Sequence, residues 1–598
     1  MTKHGNIAAR IKVIFVLVFF VAIWLARQMY NVQIERHDEL LTKAKHTYTT
    51  HTTLHGKRGQ IYDKNGHLLV GNIPVKVITA DPTILKDKTD RKEIAKKLAK
   101  YFRKKLGLSK ERATRIYKEL QHPTRINDKG VEVKDQWMLI ARDVDFMLAC
   151  QMEEELKKYK LNKAIIFTEQ NKRHYPKQEL LANVLGFTNS IDDKDIGMGG
   201  LERRLNISMS SQESQSQTET TRMGIPLSYG LSEAANIKNG NNVYLTIEEP
   251  IQAIVEEELD KLMEKWKPRA AYAVMADPYT GNILAMAQRP TFNPNDRSTY
   301  TPERYRNRIT EDTFEPGSTM KPIAISRAID DQLVTPDTRF DCEKGYWYYG
   351  GARLKDSHEN DILSVAEIIQ TSSNIGTAKI ALKMGNDRLY DTLTRFGFTE
   401  RTGIPLKNET KGLLRPLKKW YKITPTRVCI GQSINTSPLQ LVRGYCALAN
   451  HGILPELRLV DRIEDPNTGE IGEVPIGPRR NLYKNSRTHK KMIDMMKLVT
   501  QEGGTATNVA IDGYYVAGKT GTSQKYITGQ GYSQSKFFAT FIGFVPADNP
   551  KFVLLVTADE PKKSHYGGTV AGPTFKSIAE KTLKYYNVQP DYYRTEIK

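Results

Sequence analysis

The chain has 598 residues, enough for two or three domains that each bury a core. Hydrophobic residues make up 39% of it and charged residues 26%, a composition that excludes wholesale disorder. The net charge of +21 is unusual and leaves three kinds of partner open: nucleic acid, an anionic membrane surface, or an anionic polymer outside the cell. The location of the chain decides among them.

An apolar run near the N-terminus predicts a membrane-spanning helix. The run VIFVLVFFVAIWLA covers residues 13–26, and extended to residue 32 it approaches the ~20 residues that cross a bilayer. Lys3, Arg10 and Lys12 precede it, whereas basic and acidic residues are mixed beyond it. The positive-inside rule therefore predicts a cytoplasmic N-terminus and an extracytoplasmic remainder. A cleaved signal peptide is the alternative, but WLARQMYN lacks the small residues of a cleavage site.

The segment after the anchor predicts strands, a basic helical stretch and a loop, in that order. HGKRGQIYDKNGHLLVGN at 55–72 predicts a hairpin, and VKVITADP predicts another strand. Residues 90–120 have helical periodicity and carry ten basic residues between Lys96 and Lys118. Such a helix could bind nucleic acid, but a solvated helix face is commoner, and an extracytoplasmic location favours it. The polar segment 208–222 predicts a mobile loop.

A second module begins near residue 235. Residues 243–247 predict a strand, a helix follows from about residue 249, and two further strands flank the turn at 277–281. The chain is thus predicted to divide into four parts: a cytoplasmic tail at 1–12, an anchor at 13–32, an N-terminal module at 33–235 and a C-terminal domain at 236–598.

The cysteines and histidines indicate neither a disulfide framework nor a metal site. Cys150, Cys342, Cys429 and Cys446 form no C-x-x-C pair, and the twelve histidines show no H-E-x-x-H pattern. We expect the cysteines to be small buried hydrophobic residues, and we expect no metal and no cofactor.

The stretch EPGSTMKP places Ser318 and Lys321 three residues apart, directly after a Pro-Gly pair. On a helix that starts at Ser318 the two side chains share a face, and the free N–H groups of the first turn favour developing negative charge. A neutral lysine can activate the serine by taking its proton. Its pKa must then fall roughly three units below ~10.4, which corresponds to about 4 kcal/mol. By itself this pattern is weak, because Ser and Lys one helix turn apart are usually surface residues.

Two further motifs follow in order. QTSSNIGTAKIA contains Ser372-Ser373-Asn374, and YYVAGKTGTSQK contains K-T-G-T at 519–522. The ordered set is that of the penicillin-binding proteins and serine β-lactamases. The chain also resembles the class B penicillin-binding proteins in RGQIYDKNG, GMGGLERRLN, NVYLTIEEPIQ, GQSINTSPLQL and YGGTVAGPTFKSI, from the anchor almost to the C-terminus. DTFEPGSTMKP and GYYVAGKTGTSQK are most similar to the cell-division (septal) transpeptidases.

The resemblance implies a peptidoglycan D,D-transpeptidase that works through a serine acyl-enzyme and binds penicillin covalently. Ser318 would attack the carbonyl of the penultimate D-alanine of a stem peptide, and Lys321 would accept the serine proton. Ser372 would relay a proton to the departing amine. Asn374 would hydrogen-bond the substrate backbone and help to hold Lys321.

The K-T-G-T motif is implied to bind the substrate. Lys519 would add positive charge beside Lys321, and with the hydroxyls of Thr520 and Thr522 it suits the terminal carboxylate of D-Ala-D-Ala or of a β-lactam. Backbone N–H groups of Ser318 and Thr522 are the candidates for an oxyanion hole. A K-T-G strand at a sheet edge would let the substrate add as a further strand, and Gly521 would let it approach the backbone.

The fold implied by the resemblance is of the α/β (α+β) class. It comprises a transpeptidase domain with an antiparallel sheet and helices on both sides, an elongated N-terminal pedestal and one transmembrane helix. No acidic motif of a glycosyltransferase is present, so the family implies a polytopic glycan polymerase of the division complex as partner. Nucleic acid is not expected to bind.

Three alternatives stay open: an elongation transpeptidase, a D,D-carboxypeptidase or β-lactamase, and a non-catalytic β-lactam sensor or scaffold. The second motif is Ser-Ser-Asn where the β-lactamases have Ser-Asp-Asn, and FGFTERTGIPLKNETKG lacks their E-x-x-L-N pattern. Glu400 and Glu409 in or near that stretch fit loop or surface roles better. A sensor would need a cytoplasmic output domain, and about a dozen residues precede the anchor. These departures favour the transpeptidase.

Two other groups of residues are expected to be structural. Glu202 in GLERRLN lies where the family joins its two modules, so we expect it to stabilise that junction. Tyr566, Gly567 and Gly568 follow a predicted strand and are expected to pack beside the cleft. The sequence does not identify the diamino acid that supplies the acceptor amine.

Overall fold

The computed structural model describes residues 4–84, 88–121, 124–126, 132–134, 137–158, 164–191, 194–219 and 237–592. They fall into two compact units. The first contains the described residues up to Lys57 and from Ser211 to Gly240, and the second contains those of 58–210 and 241–592.

The first unit contains the predicted anchor. A helix runs over His4–Tyr30, continues with wider turns over Asn31–Glu35, and is followed by a helix at His37–Tyr48. The most apolar stretch of the segment Ala9–Glu35 has a mean hydropathy of 2.4, and none of that stretch is buried. The length and composition of the segment therefore suit a membrane span.

The loop predicted at 208–222 is wrong over most of its length. Asn206–Met209 is a helical turn, and Glu213–Glu219 pairs antiparallel with Thr49–His55. The partner strand, TTHTTLH, is rich in β-branched threonine, and backbone pairing does not require apolar side chains. Residues 220–222 lie outside the described part of the chain.

In the second unit, a seven-stranded sheet joins segments from both ends of the sequence. The strand Asn242–Leu245 lies parallel to Ile61–Tyr62 and antiparallel to Val460–Glu464. The predicted hairpin is confirmed, since Ile61–Tyr62 and Leu68–Ala80 pair antiparallel. The remaining strands of this sheet are Met138–Asp145, Ile165–His174 and Ile471–Glu473.

The basic segment forms two helices rather than one. They are Lys88–Leu106 and Lys110–Gln121, separated at Gly107, whose φ of 63° no helical residue adopts. Phe102, Ile116 and Leu120 are buried, so each helix packs one apolar stripe and leaves its lysines outside.

A five-stranded antiparallel sheet forms the centre of the C-terminal half. Its strands lie in the spatial order Ile283–Arg289, Ala270–Ala276, Phe552–Asp559, Gly531–Val545 and Ala517–Ile527. Every residue of Phe552–Asp559 is buried, and because successive side chains point to opposite faces, helices must cover both faces. The strand that carries K-T-G lies at the sheet edge.

Helices on either side complete the α/β fold expected from the sequence. Glu249–Trp266 and Gly572–Tyr585 pack against each other and against the sheet, where Phe575 meets Phe541. Pro438–Ala449 is buried along its whole length. The other helices are Phe146–Lys158, Ala182–Leu185, Gly200–Arg204, Pro302–Tyr305, Arg308–Glu311, Lys321–Asp330, Val365–Thr371, Asn374–Met384, Asn386–Arg395, Thr424–Val428, Arg487–Lys497 and Gly567–Val570.

The described residues of the second unit also form six small two-stranded sheets. They pair Thr124–Ile126 with Glu132–Lys134, Thr188–Ile191 with Lys194–Gly197, Arg339–Asp341 with Ile362–Ser364, Tyr346–Tyr349 with Ala352–Lys355, Leu413–Leu414 with Ile434–Asn435, and Ile453–Leu454 with Arg480–Asn481.

Candidate active site

Ser318 lies in a tight turn immediately before a helix. A 3-10 turn covers Gly317–Met320, and the α-helix begins at Lys321, three residues later than the sequence predicts. Gly317 has a φ of 57°, and its N–H donates to the carbonyl of Gly431 at 3.1 Å. The turn is also held by Tyr445, whose hydroxyl donates to the carbonyl of Thr319 at 2.8 Å. The nucleophile candidate therefore sits on a rigid support.

Lys321 is fully buried and connects the first two motifs. Its Nζ donates to the carbonyl of Ser372 at 2.6 Å, contacts Ser372 Oγ at 3.1 Å and donates to Asn374 Oδ1 at 2.8 Å. Three acceptors match the three protons of an ammonium group. A neutral amine has only two donors and a lone pair, so in that state it can accept a proton from a neighbouring hydroxyl.

The S-x-N motif is the junction of two helices. Ser372 ends the helix Val365–Thr371 in the left-handed conformation, with φ of 63°, and this turns its carbonyl towards Lys321. Ser373 then caps the next helix, because its Oγ accepts from the N–H of Gly376 at 3.0 Å. The backbone thus fixes the positions of Ser372 and Asn374.

Asp356 organises this junction and was missed by the sequence reasoning. Its carboxylate is 2% exposed and accepts from the N–H groups of Asn374 and Ile375 at 2.6 and 3.0 Å, and from Ser373 Oγ at 2.6 Å. The preceding carbonyl, of Lys355, accepts from Asn374 Nδ2 at 2.7 Å. Asp356 lies in LKDSHEN, which matches no motif, so no signal in the sequence marks it.

The K-T-G strand packs directly on the nucleophile turn. A Cβ atom at Gly521 would lie 2.9 Å from Thr319 Cγ2 and 3.1 Å from the carbonyl oxygen of Pro316. The glycine therefore leaves room for the turn that carries Ser318, and the approach of a ligand to its backbone stays a prediction.

The two threonines of K-T-G-T have partners within the protein. Thr520 Oγ1 lies 2.9 Å from Thr505 Oγ1, and Thr522 Oγ1 accepts from the N–H of Gly567 at 3.1 Å. A Cβ at Gly567 would lie 2.2 Å from the carbonyl oxygen of Thr540, so this glycine packs tightly beside the strand, as expected. Tyr566 is 59% exposed and does not share that packing role.

The two motif lysines lie close to each other without exposure to water. Burial lowers the pKa of Lys321 to about 8, although the nearby carboxylate of Asp356 opposes this shift. Burial, followed by the charge of Lys321, lowers the pKa of Lys519 well below its usual value. Cys429 also faces Lys321, and burial raises the pKa of its thiol to about 12, which keeps it neutral. Burial therefore makes the neutral form of Lys321 more accessible than it is in a free lysine.

Not every predicted contact is present. Within the described residues, no hydrogen bond joins Ser318 Oγ to Lys321 Nζ, although Ser318 lies one turn before the lysine. Catalytic hydrogen bonds often tighten only when substrate is bound. The catalytic roles of the motif residues and the oxyanion-hole assignment stay predictions.

Other residues singled out in the sequence have structural surroundings. Glu202 is fully buried between Arg58 and Arg173, at 2.7 Å from the Nε of each. Cys342, Cys429 and Cys446 are buried and Cys150 is partly buried, all as free thiols. Among the described residues, no group of three or more His, Cys, Asp or Glu side chains could hold a metal ion.

Comparison with known proteins agrees with this geometry. Residues 271–580 match the family model of the penicillin binding protein transpeptidase domain, and residues 53–245 match the penicillin-binding protein dimerisation domain. The chain is 31% identical to the probable peptidoglycan D,D-transpeptidase PenA of Neisseria meningitidis, over 99% of this chain and 94% of that protein. It is also 31% identical to the peptidoglycan D,D-transpeptidase FtsI of Escherichia coli, over 89% and 84% of the two chains.

Two further relatives widen the comparison. Stage V sporulation protein D of Bacillus subtilis is 29% identical over 98% of this chain and 88% of its own length. The crystal structure of a peptidoglycan synthetase from Bifidobacterium adolescentis superposes with a TM-score of 0.69 at 26% identity, covering 92% of this chain and 98% of that one. The matched domains and the full-length relatives show that the chain belongs to the penicillin-binding protein transpeptidases.

Proposed function

We propose that this protein is a membrane-anchored peptidoglycan D,D-transpeptidase that cross-links stem peptides through Ser318. The observation that carries the proposal is the buried amine of Lys321, held by Ser372 and Asn374 one helix turn after Ser318. The edge strand Ala517–Ile527 packs on the same turn and offers a free edge to a peptide in extended conformation.

The reaction has two acyl-transfer steps. Ser318 Oγ attacks the carbonyl of the penultimate D-alanine, an ester forms, the D-Ala–D-Ala amide bond breaks, and the serine proton passes through Lys321 and Ser372 to the departing amine. An acceptor amine then attacks the ester, forms the cross-linking amide and returns a proton to Ser318. N–H groups of Ser318 and Thr522 are our candidates to stabilise both oxyanions.

The charge of the site supports these steps. The low pKa of Lys321 keeps a neutral base available near neutral pH, and burial together with the charge of Lys321 lowers the pKa of Lys519 as well. Lys519, Thr520 and Thr522 are our candidates to bind the terminal carboxylate of the donor peptide, and the same group would hold the carboxylate of a β-lactam.

Transfer to an amine is favoured over hydrolysis because the two glutamates after the second motif, Glu400 and Glu409, are held by other residues of the protein. Glu400 pairs with Arg443 and Arg480, at 3.0 and 3.1 Å. Glu409 accepts from the N–H of Thr402 at 2.7 Å and from its hydroxyl. Neither carboxylate is left to activate a deacylating water.

The lifetime of the acyl-enzyme tests this proposal. Incubation of the full chain with benzylpenicillin should add one penicilloyl group to the peptide that contains Ser318, as measured by mass spectrometry. The adduct should persist for minutes to hours, because Glu400 and Glu409 are both held in other interactions and do not activate a water. An adduct that decays within seconds, or that maps to another residue, would contradict a transpeptidase.

We further propose that the protein acts in cell division, as the septal transpeptidases do. The residues of the motifs around Ser318 and Lys519 resemble those of the septal enzymes and support a role in cell division, beside a polytopic glycan polymerase. Residues 33–235 would be a non-catalytic pedestal below a transpeptidase domain at 236–598. Midcell localisation of a fluorescent fusion would support this role, and an even distribution along the lateral wall would oppose it.

The charges around the anchor support a single-pass topology with the N-terminus inside. Protease added to spheroplasts should therefore digest the chain beyond the anchor and spare an epitope tag placed before residue 13. The opposite pattern, a digested tag and a protected C-terminal domain, would contradict this orientation.

A further inference from the structure

An aromatic and basic hairpin borders the candidate active site and has no role in the reaction described above. It is formed by Tyr346–Tyr349 and Ala352–Lys355, which pair antiparallel. Tyr346 lies opposite Lys355, and Tyr348 lies opposite Arg353. Because alternate residues share a face of a strand, these four side chains form one surface, which we call the hairpin face.

The hairpin face is open to solvent. Tyr348 is 73% exposed and Tyr346 is 43% exposed, values that are high for aromatic side chains. The guanidinium of Arg353 lies 4.7 Å and the Nζ of Lys355 lies 5.1 Å from the ring centre of Tyr346. Within the described part of the chain, no carboxylate forms an ion pair with either cation. The face thus presents one free ring and two unneutralised charges.

The opposite face of the hairpin is well supported. Trp347 and Tyr349 stack at 5.0 Å, and Lys379 and Lys422 lie over these two rings at 5.4 and 5.5 Å. This packing holds the strands in place and leaves the hairpin face rigid. A rigid surface loses little conformational entropy when a ligand binds.

The hairpin is continuous with the catalytic motifs. The carbonyl of Lys355 accepts from Asn374 Nδ2 at 2.7 Å, and Asn374 in turn binds Lys321. Tyr348 and Arg353 lie two residues farther along the hairpin, about 7 Å at the ordinary rise of a strand. A ligand that extends from the cleft past Asn374 therefore meets the hairpin face.

We propose that the hairpin face binds the glycan strand that carries the stem peptides, an inference that rests on the proposed function. A pyranose ring has an apolar C–H face that packs on an aromatic ring, and Tyr348 offers such a ring beside a polar hydroxyl. Uncross-linked stem peptides carry carboxylates, which Arg353 and Lys355 complement in charge. The occupant is thus a polysaccharide whose peptide side chains carry negative charge, in line with the net positive charge of the whole chain.

Binding of soluble, uncross-linked peptidoglycan strands to the full chain in detergent micelles tests the proposal. Titrations in a Ser318→Ala background prevent turnover. Tyr348→Ala should weaken binding about tenfold, as loss of a central aromatic contact does at other interfaces. Tyr348→Phe should bind as the unsubstituted protein does, because it retains the ring. Tyr585→Ala is the control, since Tyr585 is 42% exposed on a different helix, Gly572–Tyr585.

Two comparisons separate this inference from the proposed function. Tyr348→Ala with Ser318 intact should react with benzylpenicillin at the unsubstituted rate and should bind a free stem pentapeptide equally well. Equal affinity of Tyr348→Ala and the unsubstituted protein for strands would overturn the inference while leaving the function in place. So would strands that bind no tighter than the free pentapeptide, or a Tyr348→Phe variant as weak as Tyr348→Ala. Absence of acylation at Ser318 would overturn the function itself.

Discussion

Lys321→Met is expected to react with penicillin about 10²–10⁴-fold more slowly than the unsubstituted protein, the range that a positioned general base contributes. Methionine has a similar length but no lone pair of sufficient basicity, so Ser318 would have to lose its proton to water. The measurement is the rate of labelling by a fluorescent penicillin, with Ser318→Ala as the variant that should not label at all.

The pH dependence of the same rate gives a second expected result. Lys321 is a base only when neutral, so acylation should rise with pH through about 8, the lowered pKa of this lysine, and level off above it. Among the described residues, three titratable groups interact electrostatically with Lys321: Asp356, Cys429 and Lys519. Asp356 is the negative one, and a nearby negative charge favours the protonated amine. Asp356→Asn should therefore move the rise to lower pH.

The control for these variants is Lys383→Met, an exposed lysine on the helix Asn374–Met384 that also carries Asn374. It should label as fast as the unsubstituted protein. Rapid labelling of Lys321→Met, or an acylation rate that does not change between about two pH units below and about one unit above the lysine pKa, would show that another group takes the serine proton.

The motif residues could be predicted from the sequence because their chemistry is local. Ser318 and Lys321 are one helix turn apart, and the order of the three motifs identifies the family. The antiparallel sheet and its K-T-G edge strand followed from that resemblance, and the structure has both. What the spacing could not give is the fully buried state of Lys321, which depends on how distant segments pack around it.

Contacts between segments far apart in the sequence could not be predicted from the sequence alone. Asp356 lies in a polar stretch with no motif, and only the folded chain places its carboxylate at the start of the helix Asn374–Met384. The approach of a ligand at Gly521 stays a prediction, but the local sequence does not show that a Cβ there would also meet the turn at Pro316 and Thr319. In both cases the deciding partners lie in a distant segment of the chain, so the local sequence pattern does not reveal them.

The low-complexity segment shows the limit of composition as evidence. Polar repeats predict a loop because they cannot bury apolar surface. The strand Glu213–Glu219 instead forms its backbone hydrogen bonds with Thr49–His55. That partner strand lies roughly 150 residues earlier in the chain. Local periodicity cannot report such a pairing.

Glu202→Gln is expected to lower the free energy of unfolding by about 3–5 kcal/mol, the usual cost of removing one partner from a buried ion pair. Its carboxylate lies between Arg58 and Arg173, whose side chains are 4% and 2% exposed. Neutral glutamine leaves two buried cations without their ion-pair partner; Arg173 lies in the strand Ile165–His174 of the seven-stranded sheet, and Arg58 lies just before the strand Ile61–Tyr62 of the same sheet. Urea denaturation of the full chain in micelles, followed by circular dichroism, measures the change.

The effect should also depend on pH in a defined direction. Burial alone would raise the pKa of Glu202, but the charges of Arg173 and Arg58 outweigh it and lower the pKa below the ordinary 4.5. The stabilisation is therefore complete above about pH 4.5 and is lost as the pH falls through the lowered value. The difference between the unsubstituted protein and Glu202→Gln should shrink in acid.

Glu154→Gln is the matched control, because Glu154 pairs with Lys157 at the surface, where its side chain is 70% exposed. It should leave stability nearly unchanged. If Glu202→Gln folded as stably as the unsubstituted protein but no longer reacted with penicillin, Glu202 would act on the chemistry rather than on the fold. If instead the variant lost stability while its folded fraction still reacted with penicillin, Glu202 would stabilise the fold without taking part in the chemistry.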